Sequence, residues 1–232
     1  MEGHNMTSFR MLAVLVLCAM MASPVVSAGD LSKYRSFQIG ADLETIAGQT
    51  GLNPSQAKVV HRRPALIQEL EWRAQPLGPS TEAEAVSEVT FSFYNGALYR
   101  LVINYDRYKT EGLTAEDLIE AISTTYGTAG RAAAEIVLPS SYGNMETVKV
   151  LARWEDAEYS VSLVRFSHQA SFTLVAVSKR LDALARAAII EAVRLDAEEA
   201  PQRELALQKR QEAEQRAQQE KARLANKPGF RP

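Results

Sequence analysis

Few side chains in this 232-residue chain are of types that carry out proton transfer or nucleophilic attack. Beyond His4 the histidines are His61 and His168, far apart and in no ligand-spaced pair. A zinc centre takes three or four ligands from Cys, His or carboxylate, so one here would have to be assembled from distant segments. His61, beside Arg62 and Arg63, reads as an exposed loop or edge residue, with a ligand or acid–base role as the alternative. His168, between Ser167 and Gln169, reads as a hairpin tip. No G-x-S-x-G elbow, P-loop, G-x-G-x-x-G or H-E-x-x-H is present. Ser140-Ser141 lies in a predicted loop, where a solvated turn explains its hydroxyls. Asp42, Glu44, Asp106, Asp117 and the pair Glu155-Asp156 fall at helix-cap and turn positions. A glycosidase pairs two carboxylates at a separation that sequence spacing does not reveal. The sequence therefore assigns no catalytic, cofactor-binding or metal-binding residue, and a non-enzyme without cofactors is expected.

The remaining candidates are aromatic. Phe91, Phe93, Tyr99, Tyr105, Trp154, Tyr159, Phe166 and Phe172 fall in predicted strands, where most serve a core. Trp72, Tyr94 and Tyr99 are the set that would form a binding face if exposed together.

The N-terminus fixes the expected compartment. Arg10 precedes an apolar run over residues 11–22, Ser23-Pro24 breaks it, and Val26-Ser27-Ala28 offers a small-x-small end before Gly29. This pattern describes a secretory signal peptide over residues 1–28, reading more cleanly from Met6. The run falls short of the roughly 20 residues of a membrane span; an uncleaved anchor is the alternative. Cys18, the single cysteine, lies inside it after Leu17, where a lipoprotein would carry a small residue, so cleavage after Ala28 is preferred over lipidation. The processed chain would hold no cysteine, hence no disulfide and no thiol nucleophile. A periplasmic or secreted location follows, with no transmembrane span once the signal is removed.

Composition is that of an ordinary folded protein, 46% hydrophobic and 23% charged, with a formal net charge of −2. Losing residues 1–28 removes Glu2 and Arg10 together and leaves that charge unchanged. A nucleic-acid partner calls for a basic excess, so that class is excluded.

The elements that would position any site follow an α+β order. Asn95-Gly96 between two alternating runs predicts a tight hairpin, because both central residues tolerate positive φ. Before it, Asp42 caps a short helix carrying Leu43, Ile46 and Ala47 and ending at Gly51. Asn53-Pro54-Ser55 is a turn or a new helix start, and strands are expected over residues 57–63 and 66–73. A loop over residues 76–84 separates them from the hairpin. Thr114-Ala-Glu-Asp117 has the capping-box form, with Leu118, Ile119, Ala121 and Ile122 on the apolar face and a left-handed Gly127 as the stop. A loop containing Pro139 follows, then strands over residues 147–154, 159–166 and 171–177, an antiparallel meander with one buried face. Helix, meander, helix, meander suggests a repeated unit, with Leu43, Ile46 and Gly51 matching Leu118, Ile122 and Gly127. The expected domains are a first helix-plus-meander unit over 29–110, a second with its packing helix over 111–200, and a polar helical extension with a frayed end over 201–232.

The helix over residues 179–200 should bury Leu181, Leu184, Ala188, Ala192 and Leu195, and Pro201 should kink it or begin another. Beyond it the chain is rich in Gln, Glu, Arg and Ala, and without an apolar a/d repeat it reads as a solvated extension rather than a coiled coil. A monomer with weak helix-mediated association is expected.

The run Phe37-Gln-Ile-Gly-Ala-Asp-Leu-Glu-Thr-Ile46, followed by strands ending in Phe93-Tyr-Asn-Gly-Ala-Leu-Tyr99, resembles the SmpA/OmlA-like outer-membrane assembly domain. The layout resembles more closely that of uncharacterised exported bacterial α+β proteins. In the SmpA/OmlA-like family a helix precedes a curled antiparallel sheet; the resemblance implies that fold and a role in the cell envelope, and carries over no catalytic residue. The chain departs from the family in its length, its cysteine context and its long C-terminal helix. The expected function is a non-enzymatic binding or scaffolding domain with an envelope protein partner. The alternatives are a glycan or peptide hydrolase, its carboxylates or His61 brought together by folding, and a carrier of a small apolar ligand.

Overall fold

A computed structural model describes residues 29–74, 85–130, 135–139, 145–166, 171–229 and 231. Cys18, Ser140-Ser141 and His168 lie outside the described residues. The fold is α+β. A two-stranded ribbon, β1 (Lys33–Tyr34) and β2 (Phe37–Gln38), leads into helix α1 (Leu43–Thr50). Four strands follow: β3 (Lys58–His61), β4 (Ile67–Arg73), β5 (Val86–Tyr94) and β6 (Ala97–Tyr105). Helix α2 (Ala115–Tyr126) opens the second half, with β7 (Glu135–Pro139), β8 (Met145–Glu155), β9 (Tyr159–Arg165) and β10 (Phe172–Ser178). Helix α3 (Lys179–Asn226) ends the chain.

The eight long strands form one antiparallel sheet in the order β3-β4-β5-β6-β10-β9-β8-β7. Each meander contributes one half, and the last strands of the two meanders, β6 and β10, pair at the middle from Arg100↔Val177 to Asn104↔Thr173. The strand order is thus the same read inward from either edge. Each half is preceded by its helix.

Local chemistry explains the element boundaries. Asp42 caps α1 by accepting the Thr45 N–H, and Gly51 ends it in the left-handed region at φ 70°. Thr114 and Asp117 form the reciprocal capping box of α2. Gly127 ends α2 at positive φ but with ψ −166°, an extended exit in place of the left-handed stop. Asn95 (φ 48°) and Gly96 (φ 83°) both lie in the positive-φ region that a two-residue hairpin needs. The Asn95 side chain also accepts the Leu66 N–H at 2.9 Å, tying the hairpin to β4.

Both α1 and α2 pack on one face of the sheet. That core contains Ile46, Leu70, Phe91, Phe93, Leu98, Leu101, Ile103, Leu163, Leu174 and Trp154, with Leu118 and Tyr126 from α2. The Tyr126 hydroxyl donates to the Lys33 carbonyl at 2.8 Å, pinning the β1–β2 ribbon against α2. Gly29 lies against the same helix end, where a Cβ would fall 2.0 Å from the Thr125 oxygen. Trp154 is buried at 2% exposure, and its indole N–H donates to the Gly127 carbonyl at 2.9 Å. Two further clusters occupy the opposite face: Ile67 and Tyr99 under Ala185 of α3, and Val148, Val150, Val164, Phe166 and Val175 on β8 to β10.

Three expectations are corrected. The predicted loop at Pro139 begins later, because residues 135–139 pair with β8 as an edge strand, from Glu135↔Lys149 to Pro139↔Met145. An edge position tolerates a proline that cannot donate. Of the two outcomes expected at Pro201, a new helix does not begin there; α3 runs through it. The buried stripe of α3 is Asp182, Ala185, Ala188 and Ala192, with Leu184 42% exposed, so the packed face is rotated from the leucine pattern. The small Ala185 side chain lets the helix lie close on Tyr99 and Ile67.

Replacing Trp154 by Phe removes the donor to the Gly127 carbonyl and leaves an acceptor unmatched, which costs on the order of 1–3 kcal/mol. Thermal unfolding of Trp154→Phe is expected to show that loss; a melting temperature equal to the parent's would show that the carbonyl is satisfied without the indole.

Candidate functional site

Most sequence candidates take structural places. Asp42 and Asp117 cap helices. The Asp106 carboxylate accepts the Tyr108 and Lys109 N–H groups, and that of Asp156 accepts those of Glu158 and Tyr159, so both close turns. Glu44 sits in the first turn of α1, where a negative charge suits the helix dipole. His61 is half-buried near the end of β3. Among the described residues no group of three or more His, Cys, Asp or Glu side chains is placed to hold a metal ion.

The proposed aromatic face is not formed. Trp72 packs with the α1–α2 core, whereas Tyr94 and Tyr99 belong to the cluster under α3 on the other side of the sheet. Tyr99 is 2% exposed. Alternation puts Tyr94, opposite Ile67, on the face away from Leu70 and Trp72, and Tyr99 is the extra residue of β6 between the pairs Ser92↔Arg100 and Phe93↔Leu98. It shares a face with Arg100, whose guanidinium carbon lies 5.4 Å from the Tyr99 ring centre.

What the fold does assemble is a cleft between the first turns of α3 and the outer strands of the second meander. Its volume is about 230 Å³, room for about eight water-sized groups at ~30 Å³ each. The apolar wall is Ile136, Val137, Val175 and Val177. Four basic side chains, Arg100, Arg153, Lys179 and Arg186, face two acidic ones, Glu155 and Asp182, an excess of two positive charges. Ser160 and Ser162 complete the lining.

The charges are organised around α3. Asp182 is buried with its side chain 8% exposed and sits between two arginines. Arg100, itself only 11% exposed, donates through Nε at 3.1 Å and through Nη2. Arg186, one turn along the helix, donates through Nε at 2.7 Å. Lys179 pairs with Glu155 at 2.8 Å and donates to the Asp156 carbonyl at 2.7 Å. Its ammonium, hydrogen-bonded to Glu155, holds that carboxyl below the ordinary range against the opposing effect of burial, with the Arg153 charge acting in the same direction. Arg153 reaches the cleft because Leu151 is an extra residue of β8 between the pairs Val150↔Val164 and Ala152↔Leu163. Its Nε donates to Ser162 Oγ at 3.2 Å, and it forms no ion pair among the described residues.

Three buried or half-buried titratable groups with raised values lie elsewhere. Burial, with Tyr34 nearby, pushes the Tyr126 hydroxyl up to about 12 and Tyr105 up as well, so neither ionises near neutral pH. Glu69, opposite Lys58 in the β3–β4 pairing, is raised by burial, with Lys58 and Arg100 opposing the shift.

Comparison with known proteins returns no match: no protein family, no curated protein and no solved structure is similar to this chain at a significant level.

Two outcomes test this electrostatic account. Truncating one partner of a buried pair strands the other charge and costs about 3–5 kcal/mol. Asp182→Ala is therefore expected to lose that much in denaturant unfolding, whereas Arg186→Ala, whose side chain is 55% exposed, is expected to lose less than about 1 kcal/mol. Equal losses would contradict a buried Arg100–Asp182 anchor. For Glu69 the folded state binds its proton more tightly than the unfolded chain, so stability falls as pH rises past the ordinary value of 4.5. Glu69→Gln should therefore raise the melting temperature at neutral pH and match the parent below about pH 4; a neutral-pH decrease would refute the burial effect.

Proposed function

We propose that the protein is a non-enzymatic binding or scaffolding domain of the cell envelope, in which the sheet domain serves as a folded head and the end of α3 as a projecting arm. The carrying observation is that arm. Arg63 ties α3 to the head by pairing with Glu199, with Asp196 3.9 Å away. Beyond Glu199, every described residue of α3 is exposed. At 1.5 Å per residue, residues 201–226 extend about 39 Å past this anchor.

The arm supports itself. Arg210 pairs with Glu214, Arg216 with Glu212 and Arg223 with Glu220, each three or four residues apart. Each such pair adds only about 0.3–0.5 kcal/mol, on top of a composition of strong helix formers. Pro201 removes one donor, and Arg203 reaches back across it to the Asp196 carbonyl at 3.0 Å and carboxylate at 2.9 Å. Leu205, Leu207 and Leu224 stand exposed along the arm, at 53%, 55% and 59%. An exposed helix with spaced apolar side chains suits contact with another protein, with the head as its base.

The signal-like segment over residues 1–28 supports an envelope location, and Gly29 onward is packed into the head. Among the described residues no helix is long and apolar enough to cross a membrane. The cleft brings Glu155 and Asp182 together, as a hydrolase would ask. Yet Asp182 is committed to two arginines, and Glu155 is held below the ordinary carboxyl range. A general acid needs the opposite shift. The cluster of charges also disfavours a wholly apolar ligand.

Photo-crosslinking residues placed in living cells at positions 205, 207 and 224 test this reading. Discrete adducts to an envelope protein from the arm, with none from control positions on the head, are expected. Absence of adducts at all three arm positions, or recovery of the protein in the cytoplasm, would contradict it.

A further inference from the structure

We infer that the cleft beneath the first turns of α3 is a binding site for a small organic oxyanion, a carboxylate carried on a short apolar chain. The inference is separate from the role proposed for the arm.

The charges are unevenly committed. Asp182 neutralises one of the two positive charges that Arg100 and Arg186 bring, and Glu155 offsets Lys179, so one of the two excess charges stays on that arginine pair. The other is on Arg153, half-buried, with Nε on Ser162 and no ion pair among the described residues, although its charge also helps to lower Glu155. Its two terminal nitrogens present the planar fork that receives a carboxylate through two parallel hydrogen bonds. Next to Ser162 on the same face of β9 is Ser160, 8% exposed, whose hydroxyl makes no hydrogen bond among the described residues. Ser160 lines the cleft that holds Arg153, so one ligand oxygen can accept from both.

The rest of the lining sets the body of the ligand. Ile136, Val137, Val175 and Val177 offer an aliphatic wall opposite the charged groups. A volume of about 230 Å³ admits a chain of several carbons and excludes a large ring system or a folded peptide. Glu155 and Asp182, already satisfied by cations, oppose a ligand of high negative charge. A monoanion with an aliphatic tail fits both constraints.

The test is calorimetric titration of the purified protein with hexanoate, with its neutral counterpart hexanol and with inorganic phosphate. Hexanoate is expected to bind at least tenfold more tightly than either. Arg153→Gln should weaken hexanoate at least tenfold, and Ser160→Ala severalfold, with melting temperatures near the parent's. Because Arg153 has no ion pair among the described residues and Ser160 no bonded partner, both variants should fold. Equal affinity for hexanoate and hexanol would overturn the inference, as would preference for phosphate or unaltered binding by Arg153→Gln. Should Arg153→Gln fail to fold, Ser160→Ala together with the hexanoate-to-hexanol ratio decides.

Discussion

The organisation of this protein depends on the absence of a loop between β10 and α3. Ser178 ends the strand and caps the helix, and Lys179 is already helical. A helix starting directly from a central strand has to turn back over the sheet. Asp182, one turn in, meets Arg100 on the neighbouring β6 and fixes which way it lies. Desolvating such a pair is costly, and its attraction repays that cost only with good geometry. The pair is therefore better understood as setting the helix's position than as adding stability. The close approach at Ala185, the cleft at the side of α3 and the direction of the projecting arm all follow from that one seat.

The sheet supplies the matching constraint. Pairing β6 with β10 makes one eight-stranded sheet of the two meanders, so α1 and α2 share a single core on one face while α3 claims part of the other. Bulges then assign individual side chains. Without the extra Leu151, strict alternation would place Val148, Val150, Ala152 and Trp154 on one face. With it, Trp154 enters the α1–α2 core and Arg153 turns to the α3 face. The extra Tyr99 in β6 likewise lets Leu98 and Leu101 both reach the core while Tyr99 and Arg100 lie under α3.

Local signals in the sequence were reliable because local chemistry decides them. The caps at Asp42 and Thr114 and the Asn95-Gly96 turn depend on residues within a few positions of each other. The long C-terminal helix was equally legible in its composition. Its packed face was not, because the choice of Asp182 and Ala185 over Leu184 is made by Arg100 and Tyr99, some eighty residues away. The cleft was hidden for the same reason. Arg153, Ser160 and Asp182 carry no spacing motif, and a bulge that alternation cannot foresee puts Arg153 there. Continuation through Pro201 was also illegible, since Arg63 holds the helix just before it and Arg203 pairs back to Asp196 across it.

Amide hydrogen exchange followed residue by residue tests the shared sheet and the seat of α3 together. Strands β6 and β10 are expected to exchange slowest and at a common rate. The first turns of α3, through Ala192, should be protected alongside them, and the arm beyond Pro201 should exchange much faster. Two meanders exchanging as independent units, or early turns of α3 opening as readily as the arm, would contradict that expectation.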